Sequence, residues 1–251
     1  MVDFTFLGTG NAFNMGARNS SCYLIQGSKN ILLDAGPQVL PALHKHGIPP
    51  SQIDMIVISH LHPDHMGGLS FMMLDDKWIT KRKTPIKVIV PKGGPDLIKE
   101  ICSVYYSEEE VEHIPSVYEY HTFEVGDKME IDGIELEAFE AKHSAEPKMV
   151  RISLDGVSIG YSGDSAYHEE SLLKILDADL TIHECSSYDL EIPNHVNYIE
   201  FETHVRDLID KGFIDNNKKI YLSHIDDSLE QNSARVVNPF ILSHDYMRLK
   251  I

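Results

Sequence analysis

The feature that most constrains the fold is an apolar run that leads directly into a cluster of metal-ligand side chains. Residues Ile53–Ser59 read IDMIVIS, and a run of this kind is typical of a strand that is covered on both faces of its sheet. The six residues after it read HLHPDH. Because α/β proteins place chemistry in the loop at the carboxyl end of a buried strand, we expect a polar site at this edge of a sheet.

The loop itself has the composition of a metal site. His60, His62, Asp64 and His65 offer four ligand side chains within six residues. Imidazole and carboxylate groups together suit zinc, manganese or iron, while the absence of cysteine argues against a structural zinc site. The alternative, a polar surface loop with accidental histidines, is a poor account of so dense a cluster. The motif therefore predicts metal-dependent chemistry.

Length and composition are those of a single globular domain, which we predict to span residues 1–251. Hydrophobic residues make up 42% of the chain and charged residues 24%, and neither an internal repeat nor a linker-like segment divides it. No run approaches the roughly 18 apolar residues that a membrane span needs, and the first residues lack the basic region of a secretory signal. These features favour a cytoplasmic protein without a membrane partner.

Cysteine usage and charge narrow the classes further. The three cysteines, Cys22, Cys102 and Cys185, are far apart and odd in number, which favours buried core thiols in a reducing compartment over a disulfide framework. The net charge of −17 opposes non-specific binding to a polyanionic backbone. A small phosphate ester is still admissible, because bound divalent cations would neutralise part of that charge locally.

The remaining pattern predicts short strands that alternate with helices. Asp132-Gly133 and Asp155-Gly156 are typical hairpin turns between apolar strands. Further strands are predicted at Val2–Leu7, Ser21–Ile25, Asn30–Asp34, Ile86–Val90, Leu180–Glu184 and Lys219–Ser223, and helices at Gln38–His46, Gly67–Leu74, Pro95–Cys102, Glu169–Leu176 and Tyr198–Lys211. Such a mixture favours an α+β fold in which two sheets pack face to face under outer helices.

HLHPDH resembles the H-x-H-x-D-H signature of the metallo-β-lactamase superfamily. Four further motifs match this family in the expected order along the chain. They are the early Asp-bearing segment Leu32–Gly36, His143 after a strand, Tyr161–Asp164, and Leu222–His224 at the end of a buried strand. The resemblance covers nearly the whole chain, and it implies the four-layer αββα sandwich of that superfamily.

The resemblance also implies a site with two divalent metal ions, of which zinc is favoured and manganese and iron are alternatives. Asp164 would join the two ions together with a bridging hydroxide, which would be the attacking group. The implied ligands are His60, His62 and His143 for the first ion, and Asp64, His65 and His224 for the second. Asp34 either supports a ligating histidine or caps a turn before Gly36.

The N-terminal segments Phe6–Ala12 and Ala17–Ser21 resemble the tRNase Z-like phosphodiesterase branch of the superfamily. In that branch a Glu and a later His form an acid pair, in which the His protonates the leaving oxygen and the Glu orients and charges it. Glu184 and His195 match these positions, and with Asp64 they complete the predicted catalytic residues. His195 is followed by Val-Asn instead of the branch's Ser-Thr, so an exposed loop residue is the alternative interpretation.

Two observations oppose tRNA as the substrate. Members of the branch that process tRNA carry a long arm between the third histidine and the bridging Asp, whereas here the interval from His143 to Asp164 holds one hairpin. The dense basic run Thr80–Lys87 is more typical of a solvated loop than of a nucleic-acid grip. We therefore expect a small-molecule substrate, and nucleic acid is disfavoured as a partner.

The favoured function is a phosphodiesterase or phosphoesterase that acts on a small phosphate ester. An acyl-bond hydrolase of a lactone, thioester or β-lactam, a tRNA 3′-processing endonuclease, and a non-catalytic metal-binding sensor stay open as alternatives. The resemblance to this branch also implies a homodimer, for which the apolar stretch Leu69–Leu74 could serve, although such a stretch is equally a helix face turned to the core.

Overall fold

Two mixed β-sheets form the centre of the computed structural model, which describes residues 1–13, 17–113, 117–144 and 147–251. The first sheet has the spatial order β14 (Arg248–Lys250), β1 (Asp3–Gly8), β2 (Cys22–Gln26), β3 (Asn30–Ala35), β4 (Met55–Val57), β5 (Ile86–Pro91) and β6 (Tyr118–Phe123). The second has the order β13 (Phe240–Leu242), β12 (Ile220–Ser223), β11 (Leu180–Glu184), β10 (Val157–Tyr161), β9 (Lys148–Leu154), β8 (Ile134–Glu140) and β7 (Lys128–Ile131). In each sheet three antiparallel pairs adjoin three parallel pairs.

Helices cover the outer face of each sheet. Those in the described ranges are α1 (Val39–His46), α2 (Pro63–Met66), α3 (Leu69–Trp78), α4 (Gly94–Tyr105), α5 (Glu108–His113), α6 (Glu169–Leu176), α7 (Tyr198–Asp210) and α8 (Asp227–Gln231). Buried side chains form three clusters: one between the two sheets, one between the first sheet and α1, α3 and α4, and one between the second sheet and α6 and α7. This layering confirms the predicted αββα sandwich. Among the described residues, no helix is long and apolar enough to cross a membrane.

The segment around the HLHPDH motif departs from the prediction in where its helices begin. Helical structure starts at Pro63, inside the motif, because proline is preorganised for the first position of a helix. A second helix, α3, then runs on to Trp78, where the prediction was a single helix over Gly67–Leu74. Strands β6, β13 and β14 and helices α5 and α8 were also not predicted.

The basic run Thr80–Lys87 is not simply a solvated loop. Arg82 is only 7% exposed, and its guanidinium donates hydrogen bonds to Asp76 and to the carbonyls of Ile53 and Pro50. A buried cation needs such partners, because an unpaired charge in the interior is very costly. The prediction is therefore wrong at Arg82, which stabilises the chain just before β4.

The apolar stretch on α3 mostly faces the core. Leu69, Met72 and Met73 are buried, whereas Phe71 is 53% exposed. Most of this stretch is therefore a helix face turned to the core, as the alternative interpretation had it, and the homodimer stays a prediction.

Candidate metal centre

The candidate ligands converge because they follow the carboxyl ends of strands in both sheets. His60 follows β4 in the first sheet, and Asp164 and His224 follow β10 and β12 in the second. Strands β10, β11 and β12 are parallel neighbours, so Asp164, Glu184 and His224 emerge at the same edge. The topology therefore brings residues that are far apart in the chain to one place.

Asp34 occupies a strained backbone position that its side-chain contacts stabilise. Its φ is 57°, in the left-handed region that L-residues seldom adopt. The buried carboxylate accepts hydrogen bonds from Ser59 N at 2.7 Å, Ser59 Oγ at 2.9 Å and Tyr161 OH at 2.8 Å, and it lies 2.7 Å from His65 Nδ1. Asp34 thus contacts the candidate ligand His65 directly. This contact agrees with the predicted support of a ligating histidine and would not be expected of a residue that only caps a turn.

Seven predicted ligands form two clusters that share Asp164. In each cluster one ligand atom from every residue lies within 4.8 Å of the others. The first cluster is His60, His62, His143 and Asp164; the second cluster is Asp64, His65, Asp164 and His224. This is the grouping that the family resemblance implied, although the ligand role of each residue stays a prediction.

The donor atoms at the centre fit divalent cations because several of them lack any other partner. His65 Nε2 lies 3.1 Å from Asp164 Oδ1, and His224 Nε2 lies 3.3 Å from both Asp64 Oδ2 and Asp164 Oδ2. Within the described residues, His60 Nε2, His65 Nε2 and Asp164 Oδ1 are fully buried and form no hydrogen bond, even though the last two atoms lie 3.1 Å apart. Buried polar atoms are almost always paired, so convergent unpaired donors of this chemistry indicate a cation site.

Burial and mutual charge shift the pKa values of these groups, in the direction that suits metal binding at Asp64, Asp164 and His60 but not at His65. Burial alone would raise the pKa of Asp64 and Asp164, but their interactions with His224 and His65 outweigh it and hold both pKa values below the usual range. Burial lowers the pKa of His60 well below its ordinary value. Burial also opposes a charge on His65, yet Asp164 and Asp34 raise its pKa. Ionised carboxylates and a neutral imidazole are the forms that bind metal, and binding at His65 would displace a proton.

The structure brings the two members of the predicted acid pair into contact. His195 Nδ1 lies 2.9 Å from Glu184 Oε1, and Glu184 is fully buried and also accepts a 2.7 Å hydrogen bond from Ser165 N. Burial disfavours the charged ring, but Glu184 outweighs it and raises the pKa of His195. The alternative interpretation of His195 as an exposed loop residue is wrong, since its side chain is 15% exposed.

Sequence reasoning missed Ser186, which contacts both the acid pair and the second cluster. Its hydroxyl lies 2.9 Å from Glu184 Oε2, 3.0 Å from His195 Nδ1 and 3.1 Å from His224 Nδ1. The available signal was its place two residues after Glu184, since alternate residues of an extended chain point to the same side.

A cavity of about 160 Å³ opens in front of both clusters. Its wall includes ligands of each cluster, the His195 ring, Ile192 and the N-terminal residues Asn11, Ala12 and Phe13. Pockets for drug-sized ligands are usually larger, roughly 300 Å³ and above. The cavity therefore suits the reacting group of a substrate, with the remainder of the molecule outside.

Comparison with known proteins places the chain in a family. The family model for anti-Pycsar protein Apyc1 matches residues 2–244. The chain belongs to the Apyc1 family. The Apyc1 protein of Bacillus phage vB_BsuM-Goe3 is 26% identical over 243 residues, which cover 90% of each chain. That of Saccharibacillus brassicae is 26% identical over 177 residues, or 70% of this chain and 72% of the relative.

Relatives outside the Apyc1 family support the same fold. The ribonuclease Z of Mycobacterium bovis is 23% identical over 196 residues, which cover 73% of this chain and 70% of that protein. The metallo-β-lactamase fold protein YhfI of Bacillus subtilis has a TM-score of 0.77 at 19% identity and covers 99% of this chain, with 98% of its own chain matched. A diphosphatase of the PhnP family has a TM-score of 0.77 at 20% identity, covering 100% and 98% of the two chains. These likenesses confirm the predicted metallo-β-lactamase fold and the tRNase Z-like resemblance.

Proposed function

We propose that this protein is a metal-dependent phosphodiesterase that hydrolyses a small phosphodiester. The observation that carries the proposal is the 2.9 Å contact between His195 Nδ1 and Glu184 Oε1, at a cavity whose wall also holds ligands of both metal clusters. A phosphodiester with an alkoxide leaving group needs a proton donor at this place, whereas the thiolate released from a thioester does not. Membership of the Apyc1 family supports a phosphodiesterase activity as well.

The residues of the two clusters would hold two divalent ions, for which we propose zinc, with manganese and iron as alternatives. Bound ions of this kind lower the pKa of an attacking water and neutralise charge on the phosphoryl oxygens. Asp164 is placed between the clusters, with Oδ1 near His65 and Oδ2 near both His60 and His224. Its carboxylate can thus serve both ions at once.

His195 is the proposed general acid. Its Nδ1 is directed to Glu184, which leaves Nε2 as the ring atom that can serve the cavity. The buried carboxylate of Glu184 stabilises the protonated ring and raises the pKa of His195 above its ordinary value, which favours the form that an acid needs. We propose that this proton passes from Nε2 to the departing ester oxygen while Glu184 holds the ring in place.

A small substrate is supported by the shape and charge of the protein. The cavity of about 160 Å³ admits little more than the reacting group. Strands β9 and β10 follow His143 and are joined by a two-residue turn, Asp155-Gly156, so the described part of this interval holds no extended arm. The net charge of −17 opposes a long polyanion.

The test is hydrolysis by the zinc-loaded protein of a panel of esters. The panel contains 3′,5′-cyclic mononucleotides, bis(p-nitrophenyl) phosphate, a lactone, a thioester, a β-lactam and a tRNA precursor. We expect turnover of phosphodiesters, and loss of that turnover in His62→Ala. In His195→Ala we expect kcat to fall by about 10²- to 10⁴-fold for cyclic nucleotides, which release an alkoxide, and far less for p-nitrophenolate release.

The surface variant His204→Ala serves as the matched control, because His204 lies on α7 with a side chain that is 41% exposed. Acyl hydrolysis without phosphodiester turnover would replace the proposal with the acyl-hydrolase alternative. Stoichiometric metal binding without hydrolysis of any ester would favour the sensor alternative.

A further inference from the structure

Ser186 is a buried serine whose single hydroxyl has three polar neighbours. The residue is 1% exposed, and its Oγ contacts Glu184 Oε2, His195 Nδ1 and His224 Nδ1 at 2.9, 3.0 and 3.1 Å. A hydroxyl offers one proton and two lone pairs, so three partners use its full hydrogen-bonding capacity. Once the partner that receives the hydroxyl proton is known, the other two partners must donate to the hydroxyl oxygen.

The fold fixes Ser186 beside both histidines through backbone hydrogen bonds. Ser186 N donates to the carbonyl of Val196, the residue after His195, at 3.0 Å. Cys185 N donates to the carbonyl of Ser223, the residue before His224, at 2.9 Å. The hydroxyl thus lies between the loops that carry His195 and His224, whose rings stack with their centroids 5.4 Å apart.

The carboxylate of Glu184 decides where the hydroxyl proton goes. An ionised carboxylate can only accept, and Glu184 Oε2 accepts from Ser186 while Oε1 accepts from Ser165 N. The two lone pairs of the Ser186 hydroxyl are then left to accept from the two imidazoles, and the Nδ1 hydrogen of His195 is shared between Ser186 Oγ and Glu184 Oε1. A ring nitrogen that donates must carry hydrogen, so Nδ1 of each histidine is the protonated atom.

We propose that Ser186 is a positioning residue that holds His195 and His224 with hydrogen on Nδ1 in the metal-loaded protein, and so joins the acid pair to the second cluster. For His224 this leaves the lone pair on Nε2, which lies 3.3 Å from Asp64 Oδ2 and from Asp164 Oδ2. For His195 it leaves Nε2 for the cavity. The part that concerns the acid pair rests on the proposed phosphodiesterase function, whereas the part that concerns His224 rests on the ligand geometry alone.

The experiment combines histidine NMR with metal titration, and neither readout uses a substrate. Protein labelled with ¹⁵N-histidine and loaded with zinc is assigned with His195→Ala and His224→Ala. We expect both residues to show a protonated Nδ1 in the wild type. In Ser186→Ala we expect the Nδ1 proton of His224 to exchange faster with solvent, and affinity for one of the two zinc ions to fall by about 10- to 100-fold. Ser186→Thr, which retains a hydroxyl, should restore both properties.

Ser187→Ala is the matched control, because Ser187 is equally buried and its hydroxyl donates to the Leu190 carbonyl at 2.7 Å instead of contacting a histidine. It should bind both ions like the wild type. A bare Nδ1 on either histidine of the wild type would overturn the proposal, and that result is readable even if Ser186→Ala fails to fold. Unchanged zinc affinity in a folded Ser186→Ala would overturn it too. A wild type with both Nδ1 protons and two zinc ions but no phosphodiester turnover would refute the proposed function and leave the role of Ser186 at His224 intact.

Discussion

The two metal clusters share Asp164, yet they are built into the protein to different depths. All four residues of the second cluster are buried, whereas His62 and His143 of the first cluster are half-buried. Their supports differ as well. In the second cluster His65 contacts the carboxylate of Asp34, while in the first cluster His143 Nδ1 contacts a backbone carbonyl, that of Asn194, at 3.2 Å.

This difference in burial suggests that the two clusters contribute differently to folding stability and to metal exchange. A buried ligand that pairs with a buried carboxylate is part of the interior, and its removal leaves a charge without a partner. A half-buried ligand at the cavity wall is open to solvent and to substrate. We therefore expect the second cluster to contribute to folding stability and the first cluster to exchange its ion more readily.

Removing the charge that the clusters share should have the largest effect. Asp164 contacts His60, His65 and His224, so Asp164→Asn weakens both clusters at once. We expect bound zinc to fall below one ion per chain and phosphodiester turnover to fall by on the order of 10³-fold or more. Elemental analysis and steady-state kinetics measure the two effects. The exposed Asp210→Asn on α7 is the control, and retention of two zinc ions in Asp164→Asn would contradict the bridging role.

Removing one histidine from each cluster tests whether the second cluster contributes more than the first to the free energy of unfolding. In the metal-free protein, His65→Ala leaves the buried carboxylate of Asp34 without its imidazole partner, and we expect the free energy of unfolding to fall by about 3–5 kcal/mol. His62→Ala removes a half-buried ring, and we expect a loss below about 1 kcal/mol. Urea denaturation followed by circular dichroism measures both. Equal losses of unfolding free energy in the two variants would contradict the expected difference between the clusters.

Chelation should separate the clusters in time. When the zinc-loaded protein is mixed with excess chelator, we expect zinc to be released in two phases. The ion of the first cluster should leave roughly tenfold faster than the other, because two of its ligands reach solvent. A chromophoric chelator follows the release, and His62→Ala should lack the fast phase. A single phase in the wild type would show that the two ions leave together.

The smallest expected effect is at the cysteines near the second cluster. Burial raises the pKa of Cys22, with a further contribution from Asp34, and burial also raises the pKa of Cys185, which follows Glu184. We expect neither thiol to react with a disulfide reagent during the fast phase of chelation. Labelling followed by mass spectrometry tests this, and modification of either residue at that stage would mean that the interior opens with the first cluster.

The elements that sequence predicts best are those whose residues carry an unambiguous pattern. The apolar run before His60 and the two Asp-Gly hairpins are of this kind, and each forms strands where the pattern predicts them. Strand β6 reads YEYHTF and β14 reads RLK, and such polar sequences do not predict a strand. These segments are strands because they pair with β5 and β1.

The residues of the candidate site also differ in how well the sequence predicts them. HLHPDH is dense enough to be predicted directly, whereas His143 and His224 are single histidines whose significance came from the order of motifs. Ser186 was missed because serine is common and its three contacts come from different strands and loops, so its place two residues after Glu184 was a weak signal. Arg82 was misjudged for a related reason, since its burial depends on carbonyls that lie about thirty residues away.

The N-terminal wall of the cavity depends on a residue near the other end of the chain. Asp245 accepts hydrogen bonds from Thr9 N at 3.0 Å and from Asn19 N at 2.7 Å, and so fixes the backbone on both sides of Asn11. During synthesis on a ribosome, every candidate ligand from His60 to His224 emerges before Asp245. A nascent chain therefore contains every candidate ligand before Asp245 is present to anchor the N-terminal wall of the cavity.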